Sequence, residues 1–256
     1  MYKKVDLGNF DDLAYLYKNS RPSYSNDIIR LLKIITKNIS GGARSLDLGC
    51  GTGIFTKEIS KISDQVLAID NSYEMIRHAY KLNNVKYINT SIENFNSKKK
   101  FNLITAASSF HWFDNVKLSD LINKLLKKNG LFLICYNSRD INQNFFLKKV
   151  EKKIQLLSKS FRSRVTSGQS NFVEKKINSF SKISKLRNCF KIDFHHEEKF
   201  TKKRYFSVWK SSNEFRNKLN PQQQLNFFEF LHKNFPGPYI KVKYINRCWI
   251  FQNQNL

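Results

Sequence analysis

The 256-residue chain holds 45 Lys+Arg against 20 Asp+Glu, a formal charge of +25, while 41% apolar and 14% aromatic residues exclude a disordered chain. No run of about 18 uncharged apolar residues occurs and Met1 to Asp6 offer no apolar signal core, so neither a membrane span nor a secretory leader is expected, and a cytoplasmic location is. The four cysteines, Cys50, Cys135, Cys189 and Cys248, form no C-x-x-C pair and read as reduced thiols; His195 and His196 would point to opposite faces of a strand with no third ligand, so no metal site is expected.

In chain order, short apolar runs alternate with amphipathic segments, which predicts an α/β fold with a doubly wound, mostly parallel, seven-stranded sheet. Strands are expected at 43–48, 65–69, 85–89, 101–107 and 130–136, with helices near 54–62, 72–82 and 116–128. Residues 141–188 show helical spacing (Phe145, Phe146, Val150, Ile154, Leu157) and no strand pattern, so a helical insertion is expected after strand five. Two further strands, 190–194 and 239–251, bracket helices near 203–218 and 221–234, the latter begun by Asn220 and Pro221 as N-cap and first helical position. One domain is expected, divided into an N-terminal segment 1–40, a core 41–137, the insertion 138–188 and a C-terminal part 189–256.

The charge is uneven. Residues 141–188 of the insertion carry 12 Lys+Arg and two acids, Glu151 and Glu174, so one face must be strongly positive. Lysine-rich composition can do no more than solvate a surface, or it can draw in an anionic small molecule, an acidic protein or nucleic acid.

Strand one runs into Asp47-Leu48-Gly49-Cys50-Gly51-Thr52-Gly53, and a helix follows. Alternate glycines permit a tight turn and close approach of a ligand. Ile54 stands where the dinucleotide fingerprint G-x-G-x-x-G needs its third glycine, which counts against a nicotinamide oxidoreductase. Asp70, closing strand two, can accept hydrogen bonds from ribose hydroxyls. Asp47 can meet the ammonium of an amino-acid moiety but would repel a pyrophosphate.

The block D-L-G-C-G-T-G resembles motif I of the class I methyltransferases. That resemblance implies S-adenosylmethionine as cofactor, with Asp47, Gly49, Cys50, Gly51 and Gly53 around its methionine part. Asp70-Asn71-Ser72 with Met75 is similar to the family segment after strand two, and Ser91-Ile92-Glu93 falls where a residue pair flanks the adenine, though the family usually has a smaller residue than Ile92.

Strand four ends in Ala107-Ser108-Ser109-Phe110-His111-Trp112-Phe113-Asp114, at the carboxyl edge where open α/β sheets bind ligands. With Tyr17-x-x-x-Arg21-Pro22-Ser23-Tyr24, H-W-F-D resembles the trans-aconitate methyltransferase-like branch of the type 11 enzymes, as does Tyr205 to Trp209; Ser25 replaces a proline often found there. The resemblance implies that Ala107 and Ser108 border the cofactor, that His111 and Trp112 border the transferred methyl group, that Phe110 shapes the acceptor site, and that Tyr17 and Arg21 lie on a lid. His111 is open between acid-base work, hydrogen bonding to substrate and a structural role. The expected reaction is methyl transfer to a small, acidic metabolite by in-line displacement; the alternative acceptor is RNA or an acidic carrier protein bound by the insertion. A monomer or homodimer is expected.

Overall fold

The computed structural model describes residues 13–36, 43–142, 144–158 and 171–254. Its sheet has the order β3-β2-β1-β4-β5-β7-β6. Strands β1 (Arg44–Leu48), β2 (Gln65–Asp70), β3 (Val85–Asn89), β4 (Phe101–Ala107) and β5 (Leu126–Arg139) run parallel, and β7 (Tyr239–Gln252) lies antiparallel between β5 and β6 (Arg187–Thr201). The order turns outward from β1 in one direction and from β4 in the other, so the carboxyl ends of these two central strands form a topological switch point.

β1 and β4 are buried almost throughout, polar positions included, because both their faces are covered. On one face α2 (Asn26–Thr36) and α3 (Ile54–Ile59) bury Ile28, Leu32, Phe55 and Ile59 against Leu103, Leu133 and Ile250. On the other, α5 (Asn115–Leu125) and α7 (Asn171–Ile183) bury Leu118, Ile122, Ile177 and Phe180 against Ile104, Phe132 and Phe251. A third cluster gathers α6 (Phe145–Leu157), α8 (Lys202–Lys210), α9 (Asn213–Lys218) and α10 (Pro221–Asn234) around Phe200, Val242 and Tyr244.

The insertion is thus split between two cores. Its helix α7 is one of the layers covering the central sheet, while α6 packs on the C-terminal helices. Its two acids are both paired: Glu151 with Arg139 at 2.8 Å in a buried ion pair, and Glu174 with Lys191 at 2.6 Å. The outward side of α6 keeps Lys148, Lys149 and Lys152 as its charged residues, beside the exposed Phe145 and Leu156.

Several boundaries differ from the periodicity. The segment expected as one helix over 72–82 is helical only in α4 (Tyr73–Arg77), capped by Ser72, because Tyr80 N–H turns back to donate to Thr52 C=O. The segment 203–218 breaks into α8 and α9 where Ser212 accepts from Phe215 N–H and starts a new helix. β5 begins at Leu126, so helix α5 stops short of the expected 128. β6 starts at Arg187, inside the stretch read as strandless, and reaches Thr201; it is an edge strand zipped to β7 along its whole length, and its polar outward positions disguise it.

Candidate functional site

At the switch point the glycine turn connects β1 to α3 with positive φ at Gly49, Gly51 and Gly53. The three glycines are needed for different reasons. A Cβ on Gly49 would lie 2.6 Å from Ser109 Cβ, and one on Gly53 would lie 2.5 Å from Tyr87 Oη, so both are pinned by the protein itself. A Cβ on Gly51 would meet nothing within 4 Å, so this is where the loop opens to a ligand. Gly51 N–H donates to Asp70 Oδ2 at 2.8 Å and Ser72 N–H to Oδ1 at 2.9 Å, which sets the Asp70 carboxylate at the rim of the turn. Cys50 N–H donates to Ile69 C=O at 3.0 Å, and burial pushes its thiol well above the usual range. Thr52 Oγ1 is buried in the same turn without a hydrogen-bond partner.

Asp47 does not face this opening. It is 1% exposed, and its two oxygens accept from Thr56 Oγ1 and Thr105 Oγ1, each at 2.6 Å. Burial, partly offset by those two hydroxyls and reinforced by Asp70, pushes its carboxyl up to about 6. The direct ion pair expected with an ammonium is therefore absent from this arrangement; the charge acts from beneath the loop, tying β1 to β4 and α3.

After β4 the chain makes a sharp turn with Ser108 at φ 55°, a left-handed conformation that costs a non-glycine residue about 1 to 2 kcal/mol. Ser108 N–H donates to Cys135 C=O at 2.7 Å, its hydroxyl shares a 3.0 Å hydrogen bond with Tyr24 Oη, and Ser109 Oγ donates to Leu48 C=O at 2.6 Å. The turn therefore lies directly against the glycine loop, with the half-buried Ala107 at its start. Phe110, expected in the acceptor pocket, is 0% exposed and packs edge-on against Phe180 in the core, so it supports the turn from behind. His111 and the 53% exposed Trp112 remain at the surface of the turn with ring centroids 4.6 Å apart. Asp114 ends the motif by capping α5, accepting from Val116 and Lys117 N–H groups.

Two partners of His111 were not legible in the sequence. Tyr136 Oη lies 3.1 Å from both its backbone nitrogen and its Nδ1, and Lys176 of α7 donates to the carbonyls of His111 (3.0 Å) and Phe113 (2.5 Å). Burial, with a smaller contribution from Lys176, pulls the imidazole down to about 4.

On the other flank, helix α1 (Ala14–Ser20) rests on α8. Arg21 stacks its guanidinium 4.7 Å from the Tyr17 ring and donates to Ser211 C=O; Arg204 donates to the carbonyls of Ser20 and Arg21. Ser20 and Ser211 hydroxyls meet at 3.4 Å. Tyr17 and Arg21 thus come together beside an open cleft of about 290 Å³ lined by Lys18, Arg21, Ile54, Tyr80, Glu198 and Arg204. Of the residues expected on the adenine side, Asn71 and Glu93 are exposed and Ser91 half-buried, whereas Met75 and Ile92 are buried, Ile92 in the core. The Ile92 side chain packs in the central core with Leu48, Ile69 and Phe95. Residues 1–12 of the expected lid, and Phe161, Arg162 and Arg164 of the insertion, lie outside the described residues. No described helix is long and apolar enough to cross a membrane.

Residues 46–130 match a methyltransferase domain family. Malonyl-[acyl-carrier protein] O-methyltransferase 2 of Ilyobacter polytropus is 33% identical over 102 residues, 37% of this chain and 39% of that protein. A Saccharomyces cerevisiae protein assigned as an S-adenosylmethionine-dependent methyltransferase is 30% identical over 126 residues, 45% of this chain and 42% of its own. The chain thus spans about two fifths of the length of these curated relatives. Among solved structures, a candidate type II methyltransferase from Anaeromyxobacter dehalogenans superposes with a TM-score of 0.64 at 16% identity, covering 90% of this chain and 97% of that one. A candidate methyltransferase of an antibiotic pathway from Anabaena variabilis gives 0.59 at 13% identity, covering 89% and 98%. These matches reach the general family and do not single out the trans-aconitate branch. Residues 46–130 thus carry a methyltransferase domain, in agreement with the glycine motif, and the solved structures share the fold of the chain.

Proposed function

We propose that the protein transfers the methyl group of S-adenosylmethionine to a small anionic acceptor. The observation that carries the anionic part is the cleft beside the glycine turn, which presents Lys18, Arg21 and Arg204 against the single acid Glu198. Glu198 is itself occupied by Arg204 at 2.6 Å and by Ser23. The net positive cleft raises the local concentration of an anion. The resemblance to the trans-aconitate branch favours the same class of acceptor.

The residues present fit the cofactor: Gly51 is the open point of the cradle, Asp70 stands at the end of β2 to receive ribose hydroxyls, and Asn71, Ser91 and Glu93 border the same rim. Bound there, S-adenosylmethionine supplies a methyl group on a sulfonium, whose carbon–sulfur electron pair returns to sulfur on transfer. The protein's part is to align the acceptor and exclude water, which can contribute on the order of 7 to 11 kcal/mol.

Calorimetry should show binding of S-adenosylmethionine and S-adenosylhomocysteine and none of NAD, with Asp70→Ala weakening both sulfur ligands by about 1 to 3 kcal/mol. Tighter binding of NAD than of either would sink the cofactor assignment. A panel of di- and tricarboxylic acids with labelled methyl donor should yield a methyl ester, and Arg21→Ala should raise KM for that acid; methylation of amines alone would refute the acceptor class.

A second reading rests on α6, whose outward side exposes Phe145 (74% exposed), Lys148, Lys149 and Lys152, with Lys153 half-buried beside them. An acidic carrier protein, such as the relative from Ilyobacter polytropus is named for, or RNA could dock there. Changing Lys148, Lys149, Lys152 and Lys153 to glutamine should leave methylation of a free acid intact. Binding of RNA that falls by about 10³ to 10⁵ between 50 and 200 mM salt and vanishes in the glutamine variant, with methyl incorporated into the RNA, would replace the small acid as acceptor.

A further inference from the structure

The hydrogen bonds around His111 restrict which of its nitrogens carries a proton. The His111 backbone N–H is a donor, so its 3.1 Å bond makes Tyr136 Oη the acceptor there. The one hydrogen on Tyr136 Oη is then free to point at His111 Nδ1, also at 3.1 Å. The reverse assignment, with Nδ1–H donating, would leave the hydroxyl hydrogen of a buried tyrosine without an acceptor, which costs more than the bond it gains. Burial pushes the Tyr136 phenol up, so it keeps that hydrogen at neutral pH. With Nδ1 accepting, the proton of the neutral ring sits on Nε2, across the ring from Tyr136; among the described residues Nε2 has no hydrogen-bond partner.

The turn itself is clamped by the insertion. Lys176 Nζ bonds two carbonyls of the motif, and Asn115 Nδ2 returns a bond to the Lys176 carbonyl at 2.9 Å. The positive charge beside His111 also opposes a second proton on the ring.

We propose that Tyr136 and Lys176 are positioning residues of the methyl-transfer site: Tyr136 fixes His111 as an Nε2–H donor and Lys176 holds the turn, so the site selects an acceptor oxygen that is already ionised. This rests on the methyltransferase reading only for what Nε2–H meets; the tautomer is a property of the free protein. An ionised carboxylate forms its new carbon–oxygen bond from a lone pair and releases no proton. An alcohol or ammonium must lose one, and His111 offers no basic lone pair to take it, since Nδ1 is engaged and Nε2 is protonated. His111 then donates to an acceptor oxygen and serves in recognition, not as a base.

The test is long-range proton–nitrogen NMR of the uniformly ¹⁵N-labelled, ligand-free protein from pH 6 to 8. Expected is one His111 signal set with the Nε2–H pattern, unchanged across the range. Tyr136→Phe should turn it into a mixture of both neutral tautomers, and Lys176→Met should shift the Trp112 indole signal while Lys176→Arg leaves it in place. A wild-type His111 that is Nδ1–H, or an imidazolium at pH 7, overturns the proposal whether or not the variants fold. For the acid found in the methylation panel, Tyr136→Phe should lower kcat/KM about tenfold, the worth of one hydrogen bond. Failure to bind S-adenosylmethionine with the tautomer as expected would strike the functional reading and leave the positioning intact.

Discussion

Asparagine at position 47 should stabilise the folded protein at pH 8 by about 3 kcal/mol, because the Asp47 carboxyl is displaced from 3.8 to about 6 and each unit is worth about 1.4 kcal/mol. The sign follows from linkage. Where the folded-state value lies above the unfolded one, the folded state holds its proton longer, so stability is fully present below about pH 4 and is lost as pH rises through 6. An amide carries no charge to desolvate, and it can still accept from one threonine hydroxyl and donate to the other. At about 2 to 4 °C per kcal/mol for a chain of this size, Tm should rise by roughly 6 to 12 °C well above pH 6 and by little at pH 4. Melting both proteins across that range checks it; a difference independent of pH would show that the buried charge is not the cause. Binding of S-adenosylmethionine should weaken in the same variant, which would explain why an acid that costs stability stands there.

The glycines should separate fold from ligand. Gly49→Ala combines a left-handed φ of +65° with a contact at 2.6 Å from Ser109 Cβ, and should destabilise by about 2 to 5 kcal/mol. Gly51→Ala has the backbone penalty alone, about 1 to 2 kcal/mol, yet places a methyl group at the only open point of the cradle. It should therefore melt only about 2 to 8 °C below wild type and fail to bind S-adenosylmethionine by calorimetry. Equal loss of stability in the two variants would mean that the opening at Gly51 is not real.

The parts of the fold that were legible are those that local pattern determines. β3 and β4 have the expected bounds because short, β-branched- and aromatic-containing runs end at polar turn residues, and α10 starts where Asn220 and Pro221 announce it. β6 was read short because an edge strand alternates polar side chains outward, and only its partner β7 says how far it extends. The glycine turn was visible in one block, but the role of Asp47 was not, since its hydroxyl partners come from 9 and 58 residues away. Lys176 was hidden for the opposite reason. In a segment crowded with lysines, nothing local distinguishes the one whose ammonium is turned inward onto His111 and Phe113. Phe110 and Ile92 were assigned by motif alone, and burial decided both of them.

The clasp between α1 and α8 joins residues 184 and 191 positions apart along the chain. Such a closure cannot form early in folding: its partners exist only after β6 and β7 have paired and delivered α8 to the face of the sheet. Helix α1 should therefore dock after β6, β7 and α8, and open by a local transition at a fraction of the global unfolding free energy. Amide exchange in Ala14–Ser20 should thus run ahead of the central strands, and a protease should cut within this helix before it cuts those strands.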